Sequence, residues 1–135
     1  MEKKLLENQF CTYYYDNRNK FLIQLWTNEN DDMTEDDYKN EMQNYLNFVQ
    51  KHTIFHALIN LKQFNFTIAP HIQTWVDENI AIHANKIVKK IAFVLSQDLM
   101  VALSVEQVMT EDEGKNYKAL NYFDNEKAAK KWLLD

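Results

Sequence analysis

The order of extended and helical segments is the strongest constraint this chain places on its fold. Two short extended segments, 10–15 and 21–26, come first. A helical stretch follows, and then three rounds of a strand-like run and an amphipathic helix. Alternation of that kind builds a layered α/β sheet, with parallel strands joined through helices. Residues 10–15 are rich in Tyr and Thr, side chains that suit a pleated surface. Asp16-Asn17-Arg18-Asn19 is turn chemistry, because Asp and Asn bond to nearby amides and tolerate left-handed backbone. Phe21, Ile23 and Leu25 then alternate with Leu22, Gln24 and Trp26. The short connection makes these two segments an antiparallel hairpin.

Thr34 is placed to cap the first helix, with Glu35, Asp36 and Asp37 at the positive end of its dipole. Tyr38, Met42, Tyr45, Leu46 and Val49 recur at helical spacing and mark its buried face. Residues 54–61 form the next strand. Pro70, the chain's one proline, fits the first position of a second helix whose apolar stripe is Ile72, Trp75, Val76 and Ile80. Residues 91–95 are all apolar, as a strand covered on both faces requires. Ser96 or Asp98 caps a third helix, in which Leu99, Ala102, Leu103 and Val108 face inward, and Gly114 stops it. Residues 119–123 are the last strand. Asp124 or Asn125 caps a final helix with Ala128, Ala129, Trp132 and Leu133 on one side. The expected fold is a five-stranded mixed sheet: an N-terminal antiparallel hairpin, then three βα units, with helices packed on the sheet. With no linker, repeat or low-complexity tract, residues 1–135 read as a single domain.

Composition narrows the function classes. Hydrophobic residues make up 46% of the chain, enough for a sizeable core. The net charge of −5 argues against a nucleic-acid partner, which requires a basic face. Cys11 is alone, so neither an internal disulfide nor a multi-cysteine metal site can form. No stretch has the length of a signal peptide's apolar core or of a membrane span, and a cytoplasmic protein is the expectation.

The chemistry that is missing is equally informative. One glycine, Gly114, cannot build the glycine-rich loops that grip dinucleotide or nucleotide phosphates. His52, His56, His71 and His83 show no spacing that places two ligands on one helix face, and no metal site is expected. Residues 28–32 resemble the start of a calcium loop, but Met33 stands where glycine is needed. Neither Ser96 nor Ser104 lies in a nucleophile elbow. These observations point away from an enzyme and from a resident cofactor.

A site is expected beyond the carboxyl ends of the parallel strands. Asn60, Lys62, Thr67 and His71 follow one strand there, and Ser96 follows the next. The amides at the start of the second helix are free either to bind an anion near Thr67 or to be capped by Thr67 and His71. The aromatic loop Phe64-Asn65-Phe66 beside Trp75 could line a pocket for a small ligand, or pack beneath the loop.

The layout resembles the STAS domains, the sulfate-transporter and anti-sigma-factor-antagonist family, and in particular their SpoIIAA-like branch of small stand-alone bacterial proteins. The resemblance spans about residues 10–134. It rests on Ala57-Leu58-Ile59-Asn60-Leu61, on Lys90-Ile91-Ala92-Phe93-Val94-Leu95 and on the ending 121–133, with its aromatic strand, capping Asp124 and Trp132-Leu133. It implies a non-catalytic regulatory or protein-interaction module, with a protein partner or self-association. A small-ligand carrier for a lipid or nucleotide is the alternative. Regulatory members carry a phosphorylated hydroxyl at the start of the second helix. Here Ile68-Ala69-Pro70-His71 occupies that stretch, and the nearest hydroxyl is Thr67, which makes Thr67 the candidate phosphorylation site.

Overall fold

A computed structural model describes residues 2–100 and 119–135. The structure is α/β, with one mixed sheet whose strands lie in the order of the chain. The strands are β1 (Lys3–Glu7), β2 (Cys11–Asp16), β3 (Phe21–Trp26), β4 (His56–Asn60), β5 (Lys90–Val94) and β6 (Ala119–Phe123). β1, β2 and β3 pair antiparallel, and β3 through β6 pair parallel.

The sheet therefore has six strands rather than the expected five. The additional one is β1, at the edge against β2. A register shift between Lys4 and Leu6 breaks the alternation by which a strand is recognised, and both Leu5 and Leu6 pack against the core. Asn8 makes the turn back: its side-chain oxygen accepts from the amides of Phe10 (2.9 Å) and Cys11 (3.0 Å). The β2–β3 hairpin follows its turn residues as expected. Asp16 accepts from the Arg18 amide (3.0 Å) and the Asn19 side chain (2.8 Å), and Lys20 takes the left-handed backbone (φ 50°).

Helix α1 (Glu35–His52) joins β3 to β4. Thr34 caps it reciprocally: the Asp37 amide donates to the Thr34 hydroxyl (3.1 Å) and the Thr34 amide donates to the Asp37 carboxylate (3.0 Å). Helix α2 joins β4 to β5. It opens as Pro70–Val76, widens into a π-helical turn at Asp77–Ala81 and closes as Ile82–Ala84. Residues 97–100 are helical, and Ser96 caps them, accepting weakly from the Leu99 amide (3.4 Å). Leu99 is exposed rather than inward-facing, while Ala102, Leu103, Val108 and Gly114 lie outside the described residues. Helix α3 (Glu126–Leu134) follows β6, and Asn125 is its cap, accepting from the Ala128 amide (2.8 Å).

The helices divide between the two faces. Leu22, Trp26, Ala57 and Ile59 meet α1 and α2 in the larger cluster. Phe21, Ile23, Leu58, Ala92 and Val94 meet Ala129 and Leu133 of α3 in the smaller one. Strand alternation assigns these faces, since neighbouring side chains point to opposite sides. Replacing Thr34 with Ala removes one member of the reciprocal cap. It is expected to lower unfolding free energy by about 1 kcal/mol, read as a drop in urea midpoint at constant denaturant slope.

Candidate functional site

Strand register lays one row of side chains across the sheet. Gln24 pairs with Ile59, and Ile59 with Phe93. This row is the floor of a cavity of about 290 Å³ that lies between the sheet, α1 and α2 and is partly open to solvent. Tyr38, Met42 and Tyr45 form the α1 wall, at the spacing that puts them on one helical face. Val76, Asp77, Ile80, Ala81 and Ala84 form the α2 wall. Leu61, Phe64 and Ile68 from the β4–α2 connection close one end.

The α2 wall explains the π turn. Ile72, Val76, Ile80 and Ala84 are all buried, each four residues from the last. Four residues overshoot an α-helical turn by about 40°, so three such steps would carry Ala84 well away from Ile72. A wider turn at Asp77–Ala81 takes up that drift and keeps the stripe on the sheet side. Asp77, Ile80 and Ala81 of that turn all line the cavity. π turns recur at functional sites.

The aromatic loop is held by Asn30, in the stretch 28–32 whose sequence resembles the start of a calcium loop. Its amide donates to the carbonyls of Thr27 (2.7 Å) and Gln63 (3.1 Å), and its oxygen accepts from the Asn65 amide (2.8 Å). That staple sets Phe64 edge-on to Trp26 at 4.8 Å between ring centroids. Phe66 stacks on Tyr38 at 5.4 Å.

Along the floor runs a buried polar chain. The Tyr13 hydroxyl donates to Glu41 Oε1 (2.9 Å) and lies 3.0 Å from the Glu41 carbonyl oxygen. Gln24 Nε2 donates to the Tyr13 hydroxyl (3.1 Å), and Trp26 Nε1 donates to Gln24 Oε1 (3.1 Å). Glu41 lies on the buried stripe, three residues after Tyr38 and four before Tyr45, so helical spacing signals its position even though its charge conceals it. Cys11 is fully buried, and burial, reinforced by the Glu41 charge, pushes its thiol far up, the reverse of what a nucleophile needs.

Tyr38 and Tyr45 differ from Tyr13. Both residues are 94% buried, both line the cavity, and neither hydroxyl bonds to a described residue. Among the described residues, every side-chain nitrogen or oxygen shut off from solvent has a partner. These two hydroxyls therefore keep accessible surface, and both residues line the cavity. Lys, Arg, His, Cys and Ser are all missing from its described lining, and Asp77 supplies the one carboxylate.

The six candidate residues read from the sequence lie outside this lining and do not converge. Asn60 donates to Glu126 Oε2 (2.7 Å) and accepts from the Lys62 amide (3.1 Å), tying β4 to α3. Thr67 is exposed, and the α2 cap position falls to Ala69, which gives no side-chain bond. His71 meets Glu35 at 3.0 Å. The Lys39 ammonium sits 5.2 Å over the Trp75 ring, outside the cavity. Ser96 serves as a helix cap. No group of histidine, cysteine, aspartate and glutamate able to hold a metal occurs among the described residues. None of their helices is long and apolar enough to cross a membrane.

Compared with protein-family models, curated proteins and solved structures, the chain matches none.

Burial raises the phenols of Tyr13, Tyr38 and Tyr45 above their ordinary value of 10, and Tyr38 is pushed up to about 12. The folded state thus holds these protons more tightly than the unfolded chain. Stability is intact below pH 10 and is lost as pH rises through 10 toward 12. Each phenol contributes about 1.4 kcal/mol per pH unit in its window. Urea midpoints measured across this range should fall steeply, and Tyr38→Phe should make the fall shallower.

Proposed function

We propose that this protein is a non-catalytic small-ligand-binding module that holds an apolar molecule between α1, α2 and the sheet. The observation that carries this reading is the cavity of about 290 Å³, roofed by two helices and floored by Gln24, Ile59 and Phe93. Protein interiors are packed as densely as organic crystals, and a gap of this size is roughly twice the 150 Å³ that accommodates benzene. The lining is largely aromatic and aliphatic with a few polar groups, the usual make-up of a small-molecule site. Its ionisable members are Tyr38, Tyr45 and Asp77, a set without a nucleophile–base pair.

The regulatory role implied by the STAS resemblance, including a phosphate on Thr67, draws less support. Among the described residues, the exposed large apolar side chains, Ile82, Leu99, Leu120 and Leu134, sit on four different elements. A cytoplasmic location and the SpoIIAA-like kinship belong to the same proposal and rest on the sequence.

Trp26 supplies the test, because its indole N–H bonds Gln24 at the cavity floor while Trp75 and Trp132 lie outside the lining. Naphthalene serves as the apolar probe. Titration should move the Trp26 indole signal in heteronuclear NMR spectra and leave the other two unmoved. Ile59→Phe, which fills the floor, should weaken the effect about tenfold, or 1.4 kcal/mol. A Trp26 signal that stays still at saturating naphthalene, or three indoles that move alike, would overturn the reading.

A further inference from the structure

We propose that the cavity selects an uncharged amphiphile: an apolar body whose single oxygen acceptor takes a hydrogen bond from Tyr38 or Tyr45. The inference rests on the reading of the cavity as a ligand site and names the chemistry of what enters it.

Three observations carry it. The polar groups of the floor are already committed, since both ends of the Gln24 amide are bonded, to Tyr13 and to Trp26. The two wall phenols are uncommitted and 94% buried. Because both hydroxyls keep accessible surface and make no bond to a described residue, each is an open donor in a largely apolar lining, and a ligand acceptor can take a hydrogen bond there. Burial raises both phenols, so each remains a neutral O–H donor at physiological pH. Finally, the described lining contains no cation. A carboxylate or phosphate entering it would lose its hydration with no opposite charge to replace it, an expensive transfer. The acceptor is therefore a ketone, ester, ether or alcohol oxygen.

Size sets the rest. Scaling from benzene in its 150 Å³ cavity gives a ligand of roughly twelve non-hydrogen atoms for the 290 Å³ available. 2-Decanone and decanoate match that size and differ in charge, which makes them the discriminating pair.

The full chain is titrated with each, at mildly alkaline pH and with the Trp26 indole as reporter. The ketone should bind, and decanoate should bind more weakly by about tenfold or more. The Tyr38→Phe, Tyr45→Phe double variant should lose about fivefold to tenfold in ketone affinity while still binding naphthalene as the parent does. That control separates a lost hydrogen bond from a collapsed cavity. Decanoate binding as tightly as the ketone would overturn the inference, as would a double variant with unchanged ketone affinity. So would a ketone that fails to bind a protein that holds naphthalene. In each of these cases the cavity still takes an apolar guest and the broader proposal stands. If naphthalene also fails to bind, both fall.

Discussion

The bond between the Tyr13 hydroxyl and Glu41 fixes where α1 lies, and the rest of the larger layer depends on it. Tyr13 stands on β2, and its hydroxyl meets both the carboxylate and the main-chain carbonyl of Glu41. Gln24 and Trp26 extend the chain across β3. Buried polar groups are stable only when fully paired, so this network tolerates one position of the helix and penalises others. It is weak evidence for added stability, since an apolar core of the same shape could do as well. Its effect is geometric. α1 is pinned over β2 and β3, and its next face, carrying Tyr38, Met42 and Tyr45, is turned toward the space above β4 and β5.

α2 has no such anchor. It meets the sheet through Ile72, Val76, Ile80 and Ala84, an aliphatic stripe without a directional bond to the strands. One wall of the cavity is thus set by hydrogen bonds and the other by non-directional packing, which suits a site that must yield to a guest. The polar groups around the cavity also fall into two kinds. Those of the floor are satisfied within the protein, whereas the two phenols of the α1 wall are not. The first kind builds the site, and the second is left for whatever occupies it.

Much of the fold was legible in the sequence because local chemistry dictated it. The alternation of 21–26 and the run Ala119–Phe123 became β3 and β6 with the expected bounds. Thr34 and Pro70 took the helix-start positions their chemistry favours. β1 was not legible, because the bulge between Lys4 and Leu6 removes the period of two on which recognition depends. The cavity was only partly legible. The loop Phe64-Asn65-Phe66 beside Trp75 could be read as pocket wall or as packing beneath the loop; Phe64 lines the cavity and the other three do not, and the floor arises from register between strands 35 and 34 residues apart, Gln24 with Ile59 and Ile59 with Phe93. No local pattern encodes such pairings. Glu41 was passed over in favour of Met42, because a carboxylate on an apolar stripe reads as solvent-facing until a partner such as Tyr13 is known.

The π turn joins these strands of reasoning. A stripe at 72, 76, 80 and 84 cannot stay on one face of a regular α-helix, so either the stripe or the helix must give way. Had the helix stayed regular, Ala84 would have rotated away from the sheet and a bulkier neighbour would have turned into the space. The helix instead accepts a wider turn, and small side chains, Ala81 and Ala84, remain in the cavity wall. Small residues facing a floor of Ile59 and Phe93 leave volume unfilled where larger ones would close it. The irregular helix and the open space are therefore two consequences of one spacing in the sequence, and the chain spends helix regularity to keep that space.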